Sequence, residues 1–273
     1  MLGSLVVIYP TPHEGGELVL RHKDHEWKFN AKTLTAFQPS SSLAYVAFYS
    51  DIEHEVLKVT SGRRVTVTYN LYLVDQSSKP EAQGVTVNPQ NVSFQTTLQG
   101  LLKSPEFLPN GGTLGFGLAH LYPVAADTDL QEMTSRLKGE DAHVYRACRE
   151  LQLWPSLQMV YDDETSGMKQ YGIMLDRVIM APSYDYETVS YEGHLIADQD
   201  GILINKIESA NPDHSDWVYG GGEKGEFITW VSPFNERNQL RDITMIYGNE
   251  LSTGYIYCSP CMIVRIDAAS DRM

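Results

Sequence analysis

Apolar residues in the first 75 positions come in short, β-branched or aromatic bursts separated by turn-forming residues. LVVI (5–8), ELVLRH (17–22), EWKF (26–29), YVAFYS (45–50), EVLKV (55–59) and RVTVTYNLYLV (64–74) read as strands. PTPHEGG, HKDH, a serine-rich loop and TSGR separate them. Many short strands at this spacing predict a sandwich or jelly roll.

Helical periodicity starts later. Phe94, Leu98, Leu101 and Leu102 share one helical face, as do Leu130, Met133 and Leu137, and then Val144, Cys148 and Leu151. Gly139 separates the last two groups, because glycine is costly inside a helix. After Pro155 the pattern returns to strands in MKQYGIML, DRVIMAP, EGHLIADQDGILI, EFITWVS, DITMIY and GYIYCSPCMIVRI. DQDG (198–201) between two apolar runs predicts a hairpin turn, and it lacks the further oxygen ligands of a calcium loop. The polar stretch from Asp75 to Gln90 is the natural boundary. The expected organisation is therefore a β domain over 1–76, a linker and helix over 77–112, and an α+β portion over 113–273.

Composition narrows the function classes. The chain has 273 residues, 42% of them apolar, enough for one large core or two smaller ones. Thirty-five acidic against 21 basic residues give a formal charge of −14. That charge opposes phosphate neutralisation, so neither nucleic acid nor an anionic membrane surface is an expected partner. No apolar run reaches the ~20 residues of a membrane helix and no signal-type segment opens the chain, so a cytoplasmic protein is expected. The three cysteines, Cys148, Cys258 and Cys261, supply no disulfide framework. CSPC (258–261) sits in a strand-like context without a second CxxC, which favours a structural reading over zinc or redox chemistry.

One stretch carries chemistry. In FYSDIEHEVLKVTSGRRVTVTYNLY (48–72), strand alternation puts Arg64, Thr66 and Thr68 on one face and Val65, Val67 and Tyr69 on the other. A guanidinium in such a row, with no carboxylate partner in its own strand, suits an anion. Its planar fork binds a carboxylate through two hydrogen bonds, and the Thr66 hydroxyl supplies a third. His54, on the preceding strand, is a candidate metal ligand, since neutral imidazole suits iron. With Glu53 and Glu55 beside it, His54 also suits a solvated strand edge.

The runs LGSLVVIYPTPHEGGELVLRH and AFYSDIEHEVLKVTSGRRVTVTYNLY resemble the 2-oxoglutarate and iron(II) dependent dioxygenases, within them the prolyl 4-hydroxylase-like group common in fungal genomes. GFGLAHLYP, LKGEDAHVYRACRELQL and YGNELSTGYIYCSPCMIVRI look like the C-terminal half of the same proteins. The resemblance implies a double-stranded β-helix (jelly-roll) core in a mainly β, α+β chain. It implies iron(II) as cofactor, 2-oxoglutarate as cosubstrate, and a small-molecule or peptide substrate. In that family the distal iron histidine precedes the 2-oxoglutarate arginine by about ten residues, the roles matched by His54 and Arg64. Thr66 matches the hydroxyl of the family's Arg-x-Ser pattern.

The facial triad also needs an upstream His-x-Asp, which the resemblance places before the segment equivalent to GSLVV, ahead of Met1. Two such strings occur inside the chain. His22-Lys23-Asp24 lies in a turn too few strands before His54, and His214-Ser215-Asp216 follows His54, against the family order. His13, in PTPHEGG, reads as a loop histidine. The jelly roll is thus expected to be incomplete at the N-terminus, and one histidine is expected to hold iron only weakly. The chain is either a shortened dioxygenase or a non-catalytic binding or scaffold relative that has lost the iron site.

Overall fold

The structure is a computed structural model describing residues 1–30, 42–73, 89–162, 171–179, 191–207, 225–246 and 252–272. The chain is mainly β with helices added, and it divides into two compact units, Met1–Val85 and Thr86–Met273. The division falls inside the polar stretch from Asp75 to Gln90.

Among the described residues the first unit holds eight strands: β1 (Gly3–Ile8), β2 (His13–Gly15), β3 (Leu18–His22), β4 (His25–Phe29), β5 (Ala44–Tyr49), β6 (Glu53–Val56), β7 (Val59–Gly62) and β8 (Thr66–Leu71). They form the sheets β5-β1-β8, β4-β3-β6 and β2-β7, and every pairing is antiparallel. Alternation decides which side of each sheet is apolar. Val6, Ile8, Ala44 and Val46 from one sheet and Leu18 and Leu20 from another are buried in one cluster, with Phe29, Phe48 and Ile52 packed on it. The opposite side of β5-β1-β8 faces out, and Tyr45 and Tyr69 on it are exposed.

Two local expectations change here. PTPHEGG is not only a loop, because His13–Gly15 pairs with β7, and His13 is buried with Nδ1 2.7 Å from the Thr11 carbonyl oxygen. EVLKV is not one strand. It breaks at Leu57-Lys58, where the Leu57 and Gly16 N–H groups donate to the carbonyls of Glu17 and Lys58, and the chain steps from β3 to β2 as its neighbour.

The second unit is built on β9 (Gly112–Gly117), β10 (Ser156–Asp162), β11 (Tyr171–Leu175), β12 (Ile202–Asn205), β13 (Ile228–Ser232), β14 (Leu240–Ile246) and the 15-residue β15 (Ser252–Ile266). Its helices are α1 (Pro89–Lys103), α2 (Leu130–Met133), α3 (Gly139–Glu150) and α4 (Tyr191–Ala197). The strand order is β12-β11-β10-β15-β9-β13, with β14 also on β15. One face packs Leu114, Phe116, Leu157, Met159, Met262 and Val264 with Leu98, Met133, Cys148 and Leu195 from the helices. The other face gathers Val160, Met174, Ile204, Ile228, Cys261 and Ile263. Leu101 departs from its expected helical face and is exposed.

The ends of this sheet meet. Ile204 bridges Glu226, and the Asn205 side chain acts as a strand partner: its Nδ2 donates to the Ile228 carbonyl at 2.9 Å and its Oδ1 accepts the Ile228 N–H at 2.6 Å. The sheet therefore curls back on itself. Gly115 makes room on the curled face, since a Cβ there would lie 2.5 Å from the Trp230 ring and 2.6 Å from Ile228.

Further expectations are corrected in this unit. EGHLIA is helix α4 and not a strand, so DQDG joins a helix to β12; the Gly201 N–H caps it by donating to the Leu195 carbonyl. Within DRVIMAP, residues 176–179 form no strand. GYIYCSPCMIVRI runs uninterrupted through Pro260. On one edge of β15, β14 ends opposite Cys258 and β9 begins opposite Cys261, so a residue lacking an N–H falls in the gap between neighbours. Cys258 and Cys261, three apart on a strand, point to opposite faces and join different clusters, which makes CSPC structural. Burial pushes the Cys148 thiol up to about 12 and raises that of Cys261 as well.

The segment after β9 is held by a buried carboxylate. Asp141, in the first turn of α3, accepts from the N–H groups of Ala119 (2.8 Å) and His120 (3.0 Å) and from the Tyr122 hydroxyl (2.8 Å). Burial raises its pKa, and those donors offset part of the rise. Asn205→Ala strands the N–H and carbonyl of Ile228, each a buried group worth about 1–3 kcal/mol. Urea denaturation should show the second unit destabilised by about 2–6 kcal/mol; an unchanged midpoint would show that the curl does not depend on this amide.

Candidate functional site

The register of the first unit places each sequence-derived site residue. Ile8 pairs with Thr66 and Val6 with Thr68, so both hydroxyls lie on the core face of β5-β1-β8, while Val67 and Tyr69 take the other face. This matches the expected alternation for those residues. Leu20 pairs with both Trp27 and His54, so His54 lies on the core face of β4-β3-β6. Its neighbours in sequence, Glu53 and Glu55, turn to the opposite face, where Arg21 donates to Glu55 at 3.1 Å and to Glu26 at 2.8 Å. Arg21 in turn holds the Glu26 carboxyl below the ordinary carboxylate range, with Lys28 adding to the effect. The acids beside His54 in sequence therefore do not stand beside its ring.

His54 is exposed, and its ring packs on Phe48 at a centroid distance of 4.9 Å. Its Nδ1 sits 3.2 Å from the Ile52 carbonyl oxygen, an arrangement that favours the Nδ1–H tautomer and leaves Nε2 as the ligating nitrogen.

Arg64 lies two residues before β8, on the connection from β7. It is half-buried, and its Nη2 is buried with no hydrogen-bond partner among the described residues. Loss of solvent pulls its pKa below the ordinary arginine value. An unpaired guanidinium nitrogen out of water is costly, and an entering anion offsets that cost.

The residue that sequence reasoning missed is Gly16. It holds a φ of +73°, and a Cβ there would lie 2.8 Å from Arg64 Cδ and 2.9 Å from Val59 Cγ2. Arg64 thus lies over the turn that leads into β3, the strand paired with His54. The doubled glycine of HEGGE was the available signal, and it reads equally well as an ordinary turn. From Gly16 to Leu20, opposite His54, is four residues, roughly 13 Å at a strand's rise.

The internal His-x-Asp strings do not complete a triad. Lys23 and Asp24 form the two-residue turn between β3 and β4, with Lys23 at φ +53°. His214-Ser215-Asp216 lies outside the described residues. No helix among the described residues is long and apolar enough to cross a membrane. Comparison with family models, with curated proteins and with solved structures found no match for this chain.

Gly16→Ala tests the placement of Arg64. The new methyl group must displace either the arginine or the backbone, so binding of a small dicarboxylate should fall several-fold in calorimetry while the far-ultraviolet circular dichroism is kept. Unchanged binding in a folded variant would detach Arg64 from the site.

Proposed function

We propose that the first unit binds 2-oxoglutarate through Arg64 and Thr66, with His54 as an iron(II) ligand, in a 2-oxoglutarate-dependent dioxygenase acting on a small-molecule or peptide substrate. The observation that carries this reading is Arg64, a guanidinium with a buried nitrogen that has no partner among the described residues, laid over Gly16 at the head of the strand that pairs with His54. The antiparallel pairings β1–β8, β2–β7 and β3–β6 nest as in a long hairpin folded back on itself, which supports a jelly-roll description. In the same unit β4 returns to β3 and β5 to β1, so the roll is partial.

The residues fit the keto-acid end of such a site better than the metal end. Arg64 would supply a planar fork for the distal carboxylate, and Thr66, two residues on at the start of β8, a hydroxyl. His54 offers Nε2, with Nδ1 tied to Ile52 and the ring braced on Phe48. Bound iron(II) would supply chelation of the keto acid and activation of oxygen for its decarboxylation, coupled to oxidation of a substrate C–H bond. Trp27, across Leu20 from His54 on the far strand of the same sheet, is exposed and would offer a substrate an aromatic surface. A single histidine also favours a second reading, a carboxylate-binding module without turnover.

Arg64→Lys keeps the charge but loses the fork, so 2-oxoglutarate affinity should drop about tenfold or more, a loss of ~1.4 kcal/mol or greater. Succinate release with iron(II), abolished by His54→Ala, separates enzyme from binding module. Equal 2-oxoglutarate binding by wild type and Arg64→Lys would contradict both readings.

A further inference from the structure

The β3–β4 hairpin carries two further imidazoles, His22 and His25, besides His54. His22 and His25 are directly paired across the hairpin, so both imidazoles stand on the same face. Directly opposed residues have Cβ atoms about 4.5–5.5 Å apart, close enough for two rings to converge on one ion. The hairpin is closed by the two-residue Lys23-Asp24 turn, and on its other face Arg21 donates to Glu26 across the same two strands at 2.8 Å. Turn and ion pair fix the register that opposes the two histidines.

A carboxylate lies near His22. Asp51 lies in the turn between β5 and β6, which the Arg21–Glu53 pairing brings alongside the end of β3. A carboxylate oxygen of Asp51 and a ring nitrogen of His22 lie within 4.8 Å of each other, and both residues are half-buried. His25 is exposed and its ring stacks on Trp27 at 5.8 Å, so it joins the His22–Asp51 pair by a side-chain rotation in solvent that leaves the core intact.

We infer that His22, His25 and Asp51 form a binding site for a divalent transition metal at the end of the β3–β4 hairpin. Two neutral imidazoles and one carboxylate suit zinc, nickel, cobalt or iron(II) and disfavour calcium and magnesium, which prefer all-oxygen shells. With three protein ligands the site keeps a coordination position for water or a ligand. The inference does not rest on 2-oxoglutarate binding, and it gives His22 and Asp51 a role that neither His-x-Asp spacing nor order relative to His54 had suggested.

The test is calorimetric titration of the full chain with zinc(II), followed by cobalt(II) absorption to report the ligand field. Wild type and His54→Ala should each bind one zinc at this site. His25→Ala, at an exposed position that leaves folding intact, should weaken binding at least ~10-fold, since removing even an outer partner of a ligand costs that much. His22→Ala and Asp51→Asn should weaken it too. Zinc binding that is lost in His54→Ala but kept in His25→Ala would overturn the assignment, as would no binding by the wild type. Arg64-dependent binding of 2-oxoglutarate, measured without metal, reports separately on the proposed function.

Discussion

Everything in the first unit follows from one constraint, the period of two along a strand applied to two small sheets that share an apolar face. Val6, Ile8, Ala44 and Val46 can be buried with Leu18 and Leu20 in only one register. That register carries Thr66, Thr68, Trp27 and His54 to the core side as well. A slip of one residue would exchange them for Val67, Tyr69 and Glu55. The same hydrophobic pattern that folds the unit therefore decides which of these side chains share a face.

The second unit obeys the same rule with a different closure. Its long strand β15 divides Ile256, Cys258, Met262 and Val264 from Cys261 and Ile263 between two clusters. Asn205 joins the ends of the strand path through backbone groups of Ile228 that would otherwise lie buried and unpaired. Helices cover one face, and glycines relieve crowding on the other. Asp141 performs a comparable task for the segment that leaves β9, satisfying two consecutive N–H groups with one carboxylate.

Strands with strong alternation were legible in the sequence, from LVVI at the start to MIVRI at the end. Short segments whose structure depends on distant partners were not. HEG became a strand because Gly62 and Ser61 lie opposite it, and EGHLIA became a helix because Leu195 packs into the core, although its apolar run reads like half a hairpin. His54, Arg64 and Thr66 stood out by residue type and spacing. Gly16 did not, because its importance lies in the arginine that covers it, 48 residues later in the chain. The pairing of His22 with His25 was masked in the same way: HKDH reads as a polar turn until register shows both rings on one face.

We propose that a carboxylate enters beside Arg64, at the Gly16 turn that leads into β3. Hydrogen exchange read by mass spectrometry, with and without 2-oxoglutarate, tests it most directly. Protection confined to peptides spanning residues 15–20 and 64–68, and absent in Arg64→Lys, is the predicted result. Protection elsewhere, or none at saturating 2-oxoglutarate, would contradict the account.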